Sequence, residues 1–352
     1  MPFRYHFLVM TPLTPAQKAS RLLELHHAAQ PLVLINAWDA ASAAMIEHCG
    51  LPAVATSSAA MANALGFPDG QYLPWPQMLD AVARVCRAVK VPVTADIESG
   101  FAANVTALET SITQIINAGA VGVNLEDVMP AHADPQDAGS KNSGPENADH
   151  KTADPKNAAA TNRDPRQADP KQAAPVRHGS PLFPLAEQIA RIQAARRAAQ
   201  AAGIHLVINA RTDAYWQAGV EPAEAMRGTL ERGKAYLQAG ADCIFIPGLR
   251  NSDHIKTVID HLSADYLPSA DLQKNDLRNI HRVAPVNILA GPGVPSIPEL
   301  AKLGVKRVSY GSGPHRAAMG LLRRMAEEAR TSGTFKALTE GAVPYEEING
   351  LL

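Results

Sequence analysis

From Val33 onward the sequence alternates short, continuously apolar runs with longer segments of helical period, and this alternation constrains the fold more than any other feature. Val33 to Asn36, Ala53 to Thr56, Pro92 to Ala95, Val121 to Leu125, His205 to Ala210, Cys243 to Ile246, Val286 to Leu289 and Arg307 to Tyr310 read as eight strands. Ala40 to Cys49, Pro74 to Val89, Val105 to Ala118, Leu185 to Ala202, Glu221 to Ala239 and Ser296 to Leu303 read as helices, several of them stopped by a glycine. Ahead of the first strand, Thr14-Pro15 opens another helix, with Thr14 as N-cap. Strands without polar alternation are buried on both faces, which predicts a parallel sheet covered by helices. Eight such units predict an α/β chain folded as one (β/α)8 TIM barrel over 1–352, with a doubly wound open sheet as the structural alternative.

The alternation breaks after the fourth strand. Residues 129–181 shift to Ala, Asp, Pro, Lys, Asn and Gln, with near-repeats A-D-P-Q at Ala133 and A-D-P-K at Ala153 and Ala168, and contain no aromatic residue. Such a segment has too little apolar surface to offset its ordering entropy and reads as a low-complexity, disordered insertion. The 33 basic and 34 acidic residues leave a net charge of -1, which gives no sign of a nucleic-acid or membrane partner and points to small-molecule ligands. Cys49, Cys86 and Cys243 have no C-x-x-C spacing, which argues against disulfide and zinc frameworks, and a reducing cytoplasm is expected.

Barrel enzymes carry their reactive groups at the carboxyl ends of the strands. Here those ends read Trp38-Asp39, Thr56-Ser57-Ser58, Asp96 and Glu98, Glu126-Asp127, Arg211-Thr212-Asp213 and Asn287. Asp96 and Glu98, two apart on an extended run, would share a face and could grip one cation or share one proton. Adding Glu126 favours the cation, because three carboxylates cannot all ionise at close range without a compensating charge. Oxygen-only ligation suits Mg²⁺, or Mn²⁺. Arg211 could hold an anionic substrate, or pair structurally with Asp213. The small-residue loop from Ser57 to Gly70 could bring backbone N–H groups close to a carboxylate or phosphate.

The ordered set N-A-W-D-A-A-S-A, T-S-S, L-G-F-P-D-G, T-A-D-I-E-S-G-F, G-V-N-L-E-D, I-N-A-R-T-D-A and P-V-N-I-L-A resembles the isocitrate lyase and phosphoenolpyruvate mutase superfamily. The resemblance implies a barrel whose C-terminal helices are exchanged within a homotetramer (a dimer of dimers), Mg²⁺, and 2-oxo acid or enolate substrates. It also implies that Asp96 is the metal ligand, with Asp69, Glu98 and Glu126 holding metal-bound waters, and that Arg211, Asp69 and Glu126 take catalytic roles. Ser57, Ser58 and Ala59 would bind the substrate carboxylate or phospho group, with Asn287 close by and Trp38-Asp39 as a pocket wall.

The sequence also departs from the family. After Asp127 it reads Val128-Met129-Pro130-Ala131-His132, where the lyases carry a K-K-C-G-H-type loop with an acid-base cysteine, and Phe245-Ile246-Pro247-Gly248 lacks the lyases' glutamate. The expected activity is a Mg²⁺-dependent carbon–carbon lyase or decarboxylase acting on a small 2-oxo or 2-hydroxy (di)carboxylic acid through a pyruvate enolate-like state. The alternatives are a phosphoenolpyruvate mutase-like or phosphonopyruvate hydrolase-like enzyme and a non-catalytic carboxylate-binding barrel.

Overall fold

The structure, a computed structural model, describes residues 13–130, 180–264, 266–267 and 283–352. Its strands are β1 (Leu32–Leu34), β2 (Asn36–Ala37), β3 (Val54–Thr56), β4 (Val93–Asp96), β5 (Gly122–Glu126), β6 (Val207–Arg211), β7 (Cys243–Phe245), β8 (Val286–Leu289) and β9 (Arg307–Ser309). All pair in parallel in the order β1-β9-β8-β7-β6-β5-β4-β3-β2. Ile35 alone separates β1 from β2, so these are two pieces of one stave. The two ends of the sheet meet across it, which gives the predicted (β/α)8 barrel.

Helices α2 (Ala40–His48), α4 (Trp75–Ala88), α5 (Val105–Asn117), α6 (Leu185–Ala201), α7 (Pro222–Gln238), α8 (Ser252–Ser263) and α9 (Ile297–Leu303) surround the sheet. The uninterrupted apolar strands bury Val93, Ala95, Val123, Leu125, Ile208 and Ile244 in one core with Leu108, Ile112 and Ile115 of α5 and Val258 and Leu262 of α8. That continuity is the physical source of the sequence pattern.

A separate cluster closes the barrel at the N-terminal ends of its strands. Helix α1 (Pro15–His26) starts at a capping box between Thr14 and Gln17. It packs Ala19, Leu22 and Leu23 against Leu32, Leu34, Ala53, Ala55, Val121 and Val207. A Cβ at Gly122 would stand 2.8 Å from Leu22 Cδ2 and 2.9 Å from Thr94 Oγ1, so the missing side chain makes room for Leu22 to enter the floor.

After β5 the chain leaves the barrel and returns at the same point. Val128 and Leu182 form an antiparallel bridge, Met129 N–H donates to Pro181 O at 2.9 Å, and Phe183 N–H donates to Asp127 O at 2.8 Å. Apart from these roots, the predicted insertion over 129–181 lies outside the described residues.

The chain ends in α10 (Gly313–Thr331), α11 (Lys336–Thr339) and α12 (Tyr345–Leu351). Helix α12 lies against α2 of its own chain, with His48 and Glu347 4.0 Å apart. No helix among the described residues is long and apolar enough to cross a membrane.

Candidate active site

The mouth at the carboxyl ends of the strands leads into a cavity of about 190 Å³ lined by residues of every stave. Asp96, the last residue of β4, stands on its wall with both carboxylate oxygens engaged by neutral donors. Oδ2 accepts from Ser58 N–H at 3.0 Å and Ser58 Oγ–H at 2.7 Å, and Oδ1 accepts from Asn124 Nδ2 at 3.1 Å. Asn124 is itself set by Asn209, whose Nδ2 donates to Asn124 Oδ1 at 2.7 Å. The carboxylate is therefore fixed in direction by neutral donors, while Arg211 and Arg307 act on it without ion-pair contact.

The expected small-residue loop after the second stave is in fact helix α3 (Ser58–Ala64), with Ser57 as its N-cap and Ser57 Oγ accepting from Ala60 N–H at 3.3 Å. Its Ala-rich sequence explains the difference, since alanine is the strongest helix former. The N–H that was expected to cradle a ligand instead holds Asp96 through Ser58. Ser57, Ser58 and Ala59 all line the cavity.

Arg211, at the end of β6, faces the same cavity. Its Nε and Nη2 donate to Asp213 at 2.6 and 2.7 Å, and Nη1 lies 2.9 Å from Glu126 Oε2. The pair with Asp213 that the sequence offered is present, Glu126 adds a second carboxylate, and the side chain also lines the cavity. Two of its five N–H groups are hydrogen-bonded to Asp213, and Nη1 faces Glu126 as an ion pair. Burial works against its charge, but Asp213 and Glu126 outweigh burial and raise its pKa well above the ordinary value. Behind it, Asp213 N–H donates to Asp127 Oδ1 at 3.0 Å, while Asp127 Oδ2 accepts from Tyr236 OH at 2.7 Å and from Arg232 Nη1 at 3.2 Å. Burial raises the Asp127 pKa despite these donors.

Asp69 and Glu126 line the cavity with Asp96, and so does Asn287, whose Nδ2 donates to Ser309 Oγ at 3.1 Å. Glu98 does not line it. The strand stops at Asp96 and Glu98 takes a left-handed backbone with φ 51°, so strand alternation no longer fixes its direction. It is buried and accepts from Gln71 N–H at 3.1 Å. Trp38 and Asp39 also stand off the cavity wall. Trp38 meets His315 edge-on at 5.4 Å, and Asp39 is the N-cap of α2, accepting from Ser42 N–H at 2.7 Å.

Sequence reading missed Thr94, Asn124, Arg307 and Ser309, all on the cavity wall. Asn124 and Arg307 did leave a signal, a polar or charged residue within an otherwise apolar strand. Among the described residues, no group of three or more His, Cys, Asp or Glu side chains forms a ready metal cage. The lining suits a different arrangement. Asp96 offers fixed oxygen lone pairs, with Asp69 and Glu126 on the same wall, which is a donor set for a hard, largely hydrated divalent cation.

The family model described as phosphoenolpyruvate phosphomutase matches residues 22–173 and 168–330. The 2-methylisocitrate lyase of Halalkalibacterium halodurans is 25% identical over 261 residues, covering 74% of this chain and 70% of that enzyme. A lyase/mutase-class protein of Burkholderia cenocepacia J2315 superposes with a TM-score of 0.70 at 30% identity, covering 96% of this chain and 95% of the other. The fold is also that of a phosphonopyruvate hydrolase solved in complex with oxalate and Mg²⁺, with a TM-score of 0.65, 22% identity and 95% and 94% coverage.

Proposed function

The chain belongs to the phosphoenolpyruvate phosphomutase family, within the isocitrate lyase superfamily of lyase- and mutase-type enzymes, and on that premise we propose a Mg²⁺-dependent carbon–carbon lyase or decarboxylase. Its substrate is a small 2-oxo or 2-hydroxy (di)carboxylic acid, and its reaction passes through a pyruvate enolate-like state. The observation that carries this reading is the sharing of one cavity by Asp96, fixed by neutral donors, and Arg211, fixed by carboxylates. Negative charge that develops on substrate oxygen meets electrostatics already in place.

In this reading Asp96 would hold Mg²⁺, or Mn²⁺, directly, and Asp69 and Glu126, on the same cavity wall, would hold it through water. When bound, the ion supplies Lewis acidity to the 2-oxo carboxylate. Ser57, Ser58 and Ala59 flank the substrate carboxylate, Asn287 orients it, and Trp38 and Asp39 support the wall from behind. The N–H groups of Arg211 that are not committed to Asp213 would meet the charge developing on the substrate oxygen. No Cys or His among the described residues lines the cavity. Asp69, exposed at the rim, is the group we assign to exchange protons with solvent.

The exposed apolar side chains at this end of the chain, among them Phe335 at 71% and Tyr345 at 75%, support subunit contacts here, within the homotetramer that we propose. The free cysteines Cys49, Cys86 and Cys243 support a reducing, cytoplasmic setting. Mg²⁺ titration with pyruvate detection across oxaloacetate, methylisocitrate, citramalate-type acids and phosphonopyruvate tests the reaction. Pyruvate from a carboxylic acid supports the lyase reading, whereas pyruvate from phosphonopyruvate alone moves the chain to the hydrolase class. Oxalate binding with no turnover of any acid identifies a carboxylate-binding barrel.

A further inference from the structure

A buried cation lies deeper in the barrel than the proposed reaction requires. Arg307 opens β9 at 2% exposure, lines the cavity, and makes no ion pair among the described residues. Its Nη1 stands 3.3 Å from His26 Nε2, and His26 Nδ1 is 2.7 Å from Leu22 O. A carbonyl oxygen only accepts, so Nδ1 carries the imidazole proton and Nε2 is the bare acceptor facing Arg307. Burial, helped by Arg307, pushes the His26 pKa down to about 3, so the imidazole is neutral at physiological pH. Burial also lowers the Arg307 pKa to about 10, which leaves the guanidinium charged. Helix α1 thus holds the guanidinium in place with a neutral group that does not quench its charge.

Three polar atoms around this point have no hydrogen-bond partner among the described residues: Arg307 Nε, Thr94 Oγ1 and Asn287 Oδ1. All three residues line the cavity, and Thr94 and Asn287 are each 1% exposed. Thr94 precedes Asp96 by two residues on β4, and Arg307 precedes Ser309 by two on β9. The alternation of strand side chains therefore puts them on the cavity face about 6–7 Å below that level. The Asn287 amide can turn to present Nδ2 while Ser309 Oγ–H donates to Oδ1. The Asp96 carboxylate acts on Arg307 across the cavity without forming an ion pair, so the buried guanidinium has no anion in contact, and one delivered to it repays part of the cost of its burial.

We infer that Arg307 and Thr94, with Asn287 between the two levels, form an inner subsite for a second carboxylate of the substrate, beneath the group held at Asp96 and Arg211. His26 is its positioning residue. The inference rests on the outer-site reading proposed above and narrows the substrate class to a diacid lying along the barrel axis. A guanidinium stabilises the ionised carboxylate more than the neutral carbon dioxide it would become, so this grip raises the barrier to breaking the bond to this carboxylate. The inner subsite accordingly favours the carbon–carbon lyase over loss of this group as carbon dioxide.

Calorimetry with Mg²⁺ and three probes tests the inference: oxalate for the outer site alone, and malate against lactate, which differ by the distal carboxylate. Malate should bind the wild-type protein at least tenfold more tightly than lactate, because a site with unpaired polar groups rejects a ligand that leaves them unpaired. Arg307→Met and Thr94→Val should each cut that preference at least fivefold and leave oxalate binding within about twofold of wild type. If Arg307→Met does not fold, Thr94→Val carries the test. Wild-type malate and lactate affinities within threefold of each other, or a preference unchanged in the folded variants, would mean that water alone occupies the inner cavity and would overturn the proposal. Loss of oxalate binding with an Arg307-dependent malate preference would overturn the outer reading and leave the inner subsite standing.

Discussion

Ser58 donates both its backbone N–H and its hydroxyl to one oxygen of Asp96, at 3.0 and 2.7 Å. The first residue of α3 thereby sets the direction of the last carboxylate of β4, and the oxygen lone pairs left over point along a fixed line. Removing the hydroxyl in Ser58→Ala should weaken Mg²⁺-dependent oxalate binding about tenfold, the usual effect of losing an orienting partner. Asp96→Ala should abolish it. Titration calorimetry reads both, and Asp96→Ala binding that matches wild type would remove Asp96 from the metal site.

Tyr236→Phe tests the support behind Arg211. Tyr236 OH donates to Asp127 Oδ2 at 2.7 Å inside a fully buried network, so its loss leaves a carboxylate short of one donor. The expected cost is about 1–3 kcal/mol of stability, measured by urea unfolding at pH 7. An unchanged midpoint would show that Arg232 and the Asp213 N–H suffice to hold Asp127.

His26 predicts a pH dependence of stability. Burial and Arg307 hold its folded pKa at about 3 against 6.5 when exposed, so between these values the unfolded chain binds a proton that the folded chain does not. Stability from this group is complete above pH 6.5 and falls as the pH drops toward 3, by about 1.4 kcal/mol per pH unit. His27, lowered by burial to about 4, acts in the same sense. His26→Gln cannot take up the proton and should flatten the slope between pH 6.5 and 5 in urea midpoints. Parallel slopes for wild type and variant would show that His26 titrates normally.

Removing residues 133–175 should leave the melting temperature unchanged or slightly raised. The Val128–Leu182 bridge already fixes the two roots, and shortening the loop roughly fivefold lowers the closure entropy cost by only about 1–2 kcal/mol. Scanning calorimetry of the deletion checks this, and a large drop would mean that the removed segment packs against the barrel.

The sequence made the staves legible because strands buried on both faces must be apolar throughout, and Val121 to Leu125 shows this even with Asn124 in its middle. It also made Asp96, Glu126 and Arg211 legible, since a charged residue directly after such a run falls at the barrel mouth. The left-handed backbone of Glu98 was not legible, because nothing in E-S-G-F announces a positive φ before the glycine. The same holds for the partnership of His26 and Arg307, which are distant in sequence and meet only once α1 plugs the barrel floor.

The antiparallel bridge between Val128 and Leu182 has a consequence for how such a protein can change. It separates two kinds of mutation. Those in the staves cost stability, because each stave pairs with two neighbours, whereas those between the bridge residues leave every strand pair intact. The barrel can therefore accept exchange of this one segment, length included, while its strand ladder and the carboxylates of Asp96 and Glu126 remain the same.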